Sequence, residues 1–357
     1  MQISSILDIV DGELLNSPSI SFIYSIKTNA KKIKEGDLFI AKDLNSLELA
    51  VKNGAFAIIS DINFPIIDNE IAWIKVKELE ISIIKLIRYK LSSLNLNAYF
   101  CDKVAFQLLK LYSVNFSKDI KLIPNKLENL FKTIDEIEDK NIIISSNQNV
   151  LTKIYPHNQN FNDISTDLII ENLIEHSLFE TSFSYKGIYF SKIKISSLYL
   201  AQFLRVYNFL NENLDLGKLK SFYNLKPLFI DRNLNLIEFG KSDKFIICQD
   251  IKGLYENEIL YIKTKYKYAK TIFITSEYIE YLKKDEQIII NTLDELRPIL
   301  RKFKFNAIYL MGFNYNQVQT YILKNEKSLT LFLCFNVSSV ESVSLTFLYS
   351  LIILFIH

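Results

Sequence analysis

The residues of this chain that could do chemistry stand far apart. His157, His176 and His357 have neither the spacing of metal ligands nor that of a nucleophile, its base and the group that orients it. They read as surface or satisfied histidines, with His157 in a polar loop and His176 on an apolar-polar helix. Cys101, Cys248 and Cys334 lack any Cys-x-x-Cys pair, so neither a zinc site nor a disulfide framework is expected. Buried, inert thiols fit better, in a reducing compartment such as the cytoplasm. The run Asp135-Glu136-Ile137-Glu138-Asp139 has the charge of a cation site, but it follows a helical pattern and reads as a solvated helix end. Negative charge there opposes the macrodipole. One stretch is better placed for ligand contact: TNAKKIKEGDLFIA, residues 28–41, where a basic run meets the turn Glu35-Gly36-Asp37 and passes straight into an apolar strand. Gly36 lets the chain turn tightly there. The polar loop is thereby thrown out at the end of a buried strand.

Alternating elements must position that loop. SISFIYSI, DLFIA, FAIIS and AWIKV read as strands. SLELAVKNGA reads as a helix closed by Gly54, and ELEISIIKLIRYKLSS as a helix with apolar residues at 79, 83, 84, 87 and 91. NAYFC, DIKLI and NIIIS follow as strands, with helices over KVAFQLLKLYSV and KLENLFKTIDEI, an order that predicts a parallel sheet with crossover helices. Residues 147–167 read as an Asn-rich loop. TSFSYKGIYFSKIKI predicts a hairpin turning at Lys186-Gly187, before a helix opened by Ser196 or Ser197. Strands at KFIICQ, TIFIT, QIIIN and AIYLM complete a last α/β unit.

Composition narrows the partners. The 357 residues are 49% hydrophobic and 23% charged, enough for a large core in two or three domains. A net charge of +2, spread along the chain, calls for no nucleic acid. The N-terminus lacks a basic n-region, so no signal peptide is expected. Residues 329–357 change character, with Glu341 as the one charge. The apolar stretch 343–356 spans 14 residues, short of the roughly 20 that cross a bilayer. Three readings stay open for this tail: a membrane anchor, for which Lys324 and Lys327 would form the cytoplasmic flank, core strands over LTLFLCF, and an abnormal end of the reading frame. The last two together are favoured, so membrane contact through the tail is not.

The order TNAKKIKEGDLFIA, LELAVKNGAFAIIS and AWIKVKELEISIIKLIRYKLS resembles the N-terminal domain of the Mur ligases, in particular the branch that adds a dipeptide late in peptidoglycan precursor synthesis. Gly36-Asp37-Leu38-Phe39-Ile40-Ala41 and Ala50-Val51-Lys52-Asn53-Gly54-Ala55 carry the match. The family's Asp-Ser-Arg triplet falls on Asn29-Ala30-Lys31, so the resemblance implies that Asn29 and Lys31 meet the uridine nucleotide of the precursor, on a rim above Leu38 and Ile40. Lys31 offers a point charge where arginine offers a planar fork. Over residues 178–328 the pattern resumes, and Arg232 falls on the arginine of the family's Gly-Arg pair, with Asp231 in place of glycine.

The middle of the chain departs from the family. A working ligase cradles ATP phosphates with backbone N–H groups of a glycine-rich loop that ends in a lysine and a magnesium-binding Ser or Thr. Here NAYFC is followed by Asp102-Lys103-Val104-Ala105, and no glycine occurs between Gly54 and Gly187. Lys103 reads as a solvated lysine, and no residue is assigned a catalytic or metal-binding role. The expectation is a Mur-ligase-like α/β protein: a small N-terminal α/β domain (1–92), a reduced central parallel-sheet domain (93–226), a C-terminal Rossmann-like domain (227–328) and the apolar tail (329–357). Under the resemblance it binds a UDP-linked muramyl-peptide, or a cell-wall synthesis protein, without ligation and without a cofactor. Two alternatives stay open: an active ATP- and magnesium-dependent carboxylate–amine ligase with a remodelled nucleotide site, and an interaction protein that binds no nucleotide.

Overall fold

The runs LFI, AIIS and AWIK are buried at nearly every position, so the sheet they form needs cover on both faces. The computed structural model describes residues 1–113, 119–125, 127–231 and 233–324 and divides into two units, Met1–Leu168 with Gln202–Asp215, and Ile169–Ala201 with the chain from Leu216 onward. In the first unit, helix α1 (Ile3–Val10) precedes the short strand β1 (Glu13–Leu14). Strands β2 (Ile26–Lys27), β3 (Leu38–Ile40), β4 (Ala57–Ser60) and β5 (Ala72–Lys75) pair in parallel, and β1 closes the far edge antiparallel to β5. Helix α2 (Leu44–Lys52) connects β3 to β4, and α3 (Leu79–Leu91) follows β5. Alternation sends Leu38, Ile40, Ile59 and Ile74 into one core with α1 and α3, and Phe39, Ile58 and Trp73 into another with Leu47 and Ala50 of α2.

The turn before β3 is held by backbone bonds on both sides. Gly36 has φ +93°, accepts from Tyr24 N at 2.8 Å and donates to Gly54 O at 3.1 Å. A Cβ on Gly36 would lie 2.0 Å from the Tyr24 ring. Gly36→Ala is therefore expected to cost about 1–3 kcal/mol, since a left-handed backbone and a displaced ring add. At the hairpin Gly187 (φ +75°), where nothing lies within 4 Å of the added carbon, the same change should cost about 1 kcal/mol. Urea denaturation of the two variants checks this ordering.

The second sheet of this unit is wholly parallel, in the order β7-β8-β6-β9: β6 (Asn97–Phe100), β7 (Ile120–Leu122), β8 (Ile142–Ser145) and β9 (Gln159–Asn160). Helices α4 (Lys103–Tyr112), α5 (Leu127–Ile134) and α6 (Gln148–Ile154) link its strands. The core of Leu130, Ile134, Ile143 and Leu151 is continuous with that of α3. Helix α7 (Leu200–Phe209) adds its residues from Gln202 to this unit.

Two expectations change here. The Asn-rich loop over 147–167 contains α6 and β9, because Asn147 acts as a helix cap, accepting from Val150 N at 3.2 Å. The strand expected over 19–26 reduces to Ile26–Lys27: upstream, Ser21 O and Ile23 N bond to Ile3 and Met1 rather than to a neighbouring strand.

In the second unit β10 (Glu171–Ser177), β11 (Glu180–Tyr185) and β12 (Ile188–Ile193) form an antiparallel meander that turns at Lys186-Gly187. His176 lies on β10, not on a helix; its Nε2 meets Ser182 Oγ across the strand pair at 2.8 Å. The last sheet runs β13-β14-β17-β15-β16, from β13 (Pro227–Phe229), β14 (Phe245–Gln249), β15 (Thr271–Thr275), β16 (Gln287–Ile289) and β17 (Ala307–Met311). All but β13 are parallel, with α8 (Tyr255–Lys265) and α9 (Leu296–Lys302) between strands. The chain is thus a mixed α/β protein built on parallel sheets. Residue 92 falls between the first two sheets and residue 227 opens the last. Cys101 and Cys248 are buried free thiols whose pKa values burial pushes up. Cys334 and the tail 329–357 lie outside the described residues. Among the described residues no helix is long and apolar enough to cross a membrane, and no cluster of His, Cys, Asp and Glu could hold a metal ion.

Candidate functional site: a lysine-lined cleft beside the first sheet

Strand β2 is the edge of its sheet, and the chain leaves it through Thr28 and Asn29 into a 3-10 turn, Ala30–Lys32. Asn29 caps the turn: its Oδ1 accepts from Lys31 N at 3.0 Å. Ala30 and Ile33 are buried, and Asn53 Nδ2 donates to Ala30 O at 2.9 Å, so the turn is anchored by its apolar side. At the far end the buried Asp37 accepts from Lys34 N at 3.0 Å. A fixed backbone with its small and branched residues inward leaves the lysines facing outward.

Beyond this edge opens a cleft of about 770 Å³, whose opposite wall is α5 with the end of β7. Ile26, Leu122 and Phe131 give it an apolar floor, and Lys27, Lys32 and Lys34 line it. Asp135 and Glu136 also face it; Lys27 at 3.5 Å and Lys90 pair with Asp135, and Glu136 is exposed, so the lysines outnumber the carboxylates by three to two. Lys32 and Lys34 have no ion-pair partner among the described residues. The arrangement suits an anion with an apolar or sugar-like body, in the size range of small-ligand sites.

Of the residues singled out from the sequence, Asn29 lines the cleft. Lys31 is exposed on the same turn but is not among the lining residues. Arg232 lies outside the described residues; its neighbour Asp231 closes a turn, accepting from Asn233 N and Asn235 N at 2.8 Å. The floor expected from Leu38 and Ile40 is not the observed one. Both are sealed in the sheet core, because the cleft opens past the edge strand rather than above β3. The basic run was visible in the sequence, but which of its lysines face a cavity depends on α5.

A second position bears on nucleotide chemistry. After β6 the chain enters α4 through Asp102, whose Oδ1 accepts from both Val104 N and Ala105 N at 2.9 Å. These are the amides that a phosphate at this helix start would require. They are occupied by the chain's own carboxylate, and the preceding turn has no glycine for close approach. This helix start offers a phosphate neither the Val104 and Ala105 amides nor a glycine.

No protein-family model matches this sequence, and no curated protein matches it. Solved structures do. The chain is similar to a UDP-N-acetylmuramoylalanyl-D-glutamyl-2,6-diaminopimelate–D-alanyl-D-alanyl ligase from Acinetobacter baumannii, with 11% identity, a TM-score of 0.50, and coverage of 91% of this chain and 97% of that one. It is also similar to a crystal structure of MurF from Acinetobacter baumannii, with 11% identity, a TM-score of 0.52, and coverage of 90% and 98%. At this identity the likeness is one of fold: the chain has the mixed α/β architecture of the Mur ligases.

Proposed function

We propose that this protein binds a UDP-linked muramyl-peptide in the cleft beside Asn29 and does not ligate it with ATP. The reading is supported by the resemblance over most of residues 1–92 and 178–328, by the fold it shares with Mur ligases, and by the cleft's chemistry. Lys32 and Lys34 would hold the diphosphate as point charges, and Asn29 would meet a polar edge of the ligand. Lys31 at the rim adds positive field, and Arg232 remains a proposed contact through the resemblance. The observation that carries the reading is a contrast between two anion positions. One, at the turn 30–34, is cationic and open; the other, at the start of α4, is filled by Asp102. Phosphoryl transfer leaves a protein little to do beyond positioning and charge stabilisation, so losing the cradle removes the reaction. Such a protein would act in peptidoglycan precursor metabolism as a carrier or as a partner of cell-wall synthesis proteins.

Calorimetry with UDP-N-acetylmuramoyl-tripeptide tests the first half, with saturable one-to-one binding expected. For the second half, no ATP-dependent phosphate release is expected with any muramyl-peptide and amino-acid or dipeptide pair. Asp102→Ala should cost about 1 kcal/mol of stability through the lost helix cap without creating ATP binding. Micromolar ATP binding, with phosphate release that requires both substrates, would establish the active-ligase alternative. Absence of any UDP-linked ligand would leave an interaction protein.

A further inference from the structure

Within the second unit, two cavities meet at Phe179 and Phe239. The first, of about 310 Å³, has an apolar wall that includes Ile195, Leu219 and Phe222, and its charged lining residues are Lys194, Lys220 and Lys226, with no carboxylate among them. The second, of about 420 Å³, is lined by Phe229, Phe245, Ile247 and Ile262 among others. Phe239 stands between them with 51% of its surface exposed, its ring set edge-on to Phe179 and Phe229 at 5.4 and 5.1 Å.

We propose that these cavities form one binding site for a single-chain amphiphilic anion, an acyl carboxylate whose head meets Lys220 and Lys226 and whose chain crosses Phe239 into the second cavity. The cations are unequally satisfied. Lys194 pairs with Glu180 at 3.1 Å and lies 4.1 Å over the Phe239 ring, so its charge is matched. Lys220 is exposed, and its ammonium has no partner among the described residues. Lys226 is fixed, donating to Lys220 O at 2.7 Å above the stacked rings of Tyr223 and Tyr315. Burial lowers its pKa, a cost that an added carboxylate would offset.

Carboxylates set the polarity of the site. Glu180 and Asp243 line the second cavity and none lines the first, which places the anionic head at the lysines and the apolar end among the phenylalanines. Two modest cavities sharing a wall favour an extended ligand, since a compact one would fill only one of them. An exposed phenylalanine at their junction gains by being covered. This site is separate from the cleft of the proposed function and stands without it.

Titration calorimetry of the full chain with sodium octanoate, sodium decanoate and decan-1-ol, below their aggregation concentrations, tests it. One decanoate per chain is expected, bound about tenfold more tightly than octanoate, as two further buried methylenes imply. Decan-1-ol should bind at least tenfold more weakly than decanoate. Lys220→Glu and Phe239→Ala, both at exposed positions, should each weaken decanoate at least tenfold while circular dichroism stays unchanged. No saturable one-to-one binding, equal affinity for the alcohol, or indifference to either variant overturns the proposal. So does sedimentation with phosphatidylglycerol vesicles in a chain that ignores free decanoate, which would make this a membrane surface instead.

Discussion

Glu258→Gln is expected to make the protein more stable near pH 8 by about 1–3 kcal/mol and to remove a fall in stability between pH 4.5 and 7. Glu258, on α8, is fully buried. Its Oε1 accepts from Tyr199 and from Gln249 Nε2 at 2.9 Å, and its Oε2 accepts from Tyr309. Burial pushes the carboxyl up from 4.5 to about 7, outweighing the three hydrogen bonds that favour its charged form. Folding therefore takes up a proton between those two values. Stability contributed by this group is greatest below 4.5, declines as pH rises to 7, and levels off above.

Glutamine keeps the shape and one acceptor oxygen but cannot ionise, at the cost of one altered bond to Tyr309, about 1 kcal/mol. Glu258→Leu separates charge from hydrogen bonding, because it strands Tyr199, Tyr309 and Gln249 together. That variant should be destabilised at every pH by about 3 kcal/mol or more. Urea denaturation at pH 5 and pH 8 checks both, and a constant difference between wild type and Glu258→Gln across that range would show that the carboxyl does not titrate there.

The double variant Lys32→Glu/Lys34→Glu should weaken UDP-N-acetylmuramoyl-tripeptide at least a hundredfold. Each hydrogen bond from an ammonium to a phosphate contributes about 1.5–3 kcal/mol, and charge reversal adds repulsion. Both side chains are exposed, so the fold should persist. Lys31→Ala, on the same turn but off the lining, should cost about threefold or less, because a solvated charge at that remove is screened. Calorimetry at low and raised ionic strength reads both effects, with affinity expected to fall as salt rises. Full-strength binding by the double variant would move the nucleotide elsewhere. No binding by the wild type would instead sink the proposed function itself.

Much of the architecture was legible because it depends on local periodicity. DLFIA, FAIIS and AWIKV alternate between two cores, and α3 buries Leu79, Ile83, Ile87 and Leu91 as its spacing requires. The absence of glycine between 54 and 187 is likewise a property of the chain alone, and the expectation that no glycine-rich phosphate loop forms there rests on it, since close backbone approach needs glycine. His176 was misplaced because ENLIEHS mixes apolar and polar residues in an order compatible with either period, and pairing with β11 decides it.

The cleft and the buried acid were not legible. Lys32 and Lys34 come to line a cleft only because α5, about a hundred residues later, forms the other wall. Glu258 sits in YENEILYIKTK, where charged residues suggest a solvated helix; its burial depends on Tyr199 and Tyr309, 59 and 51 residues away. Backbone preference and side-chain periodicity act within a few residues, so the chain alone determines most of its strands and helices. A cavity and a displaced pKa are properties of whatever surrounds a group, and only tertiary packing decides which distant residues those are.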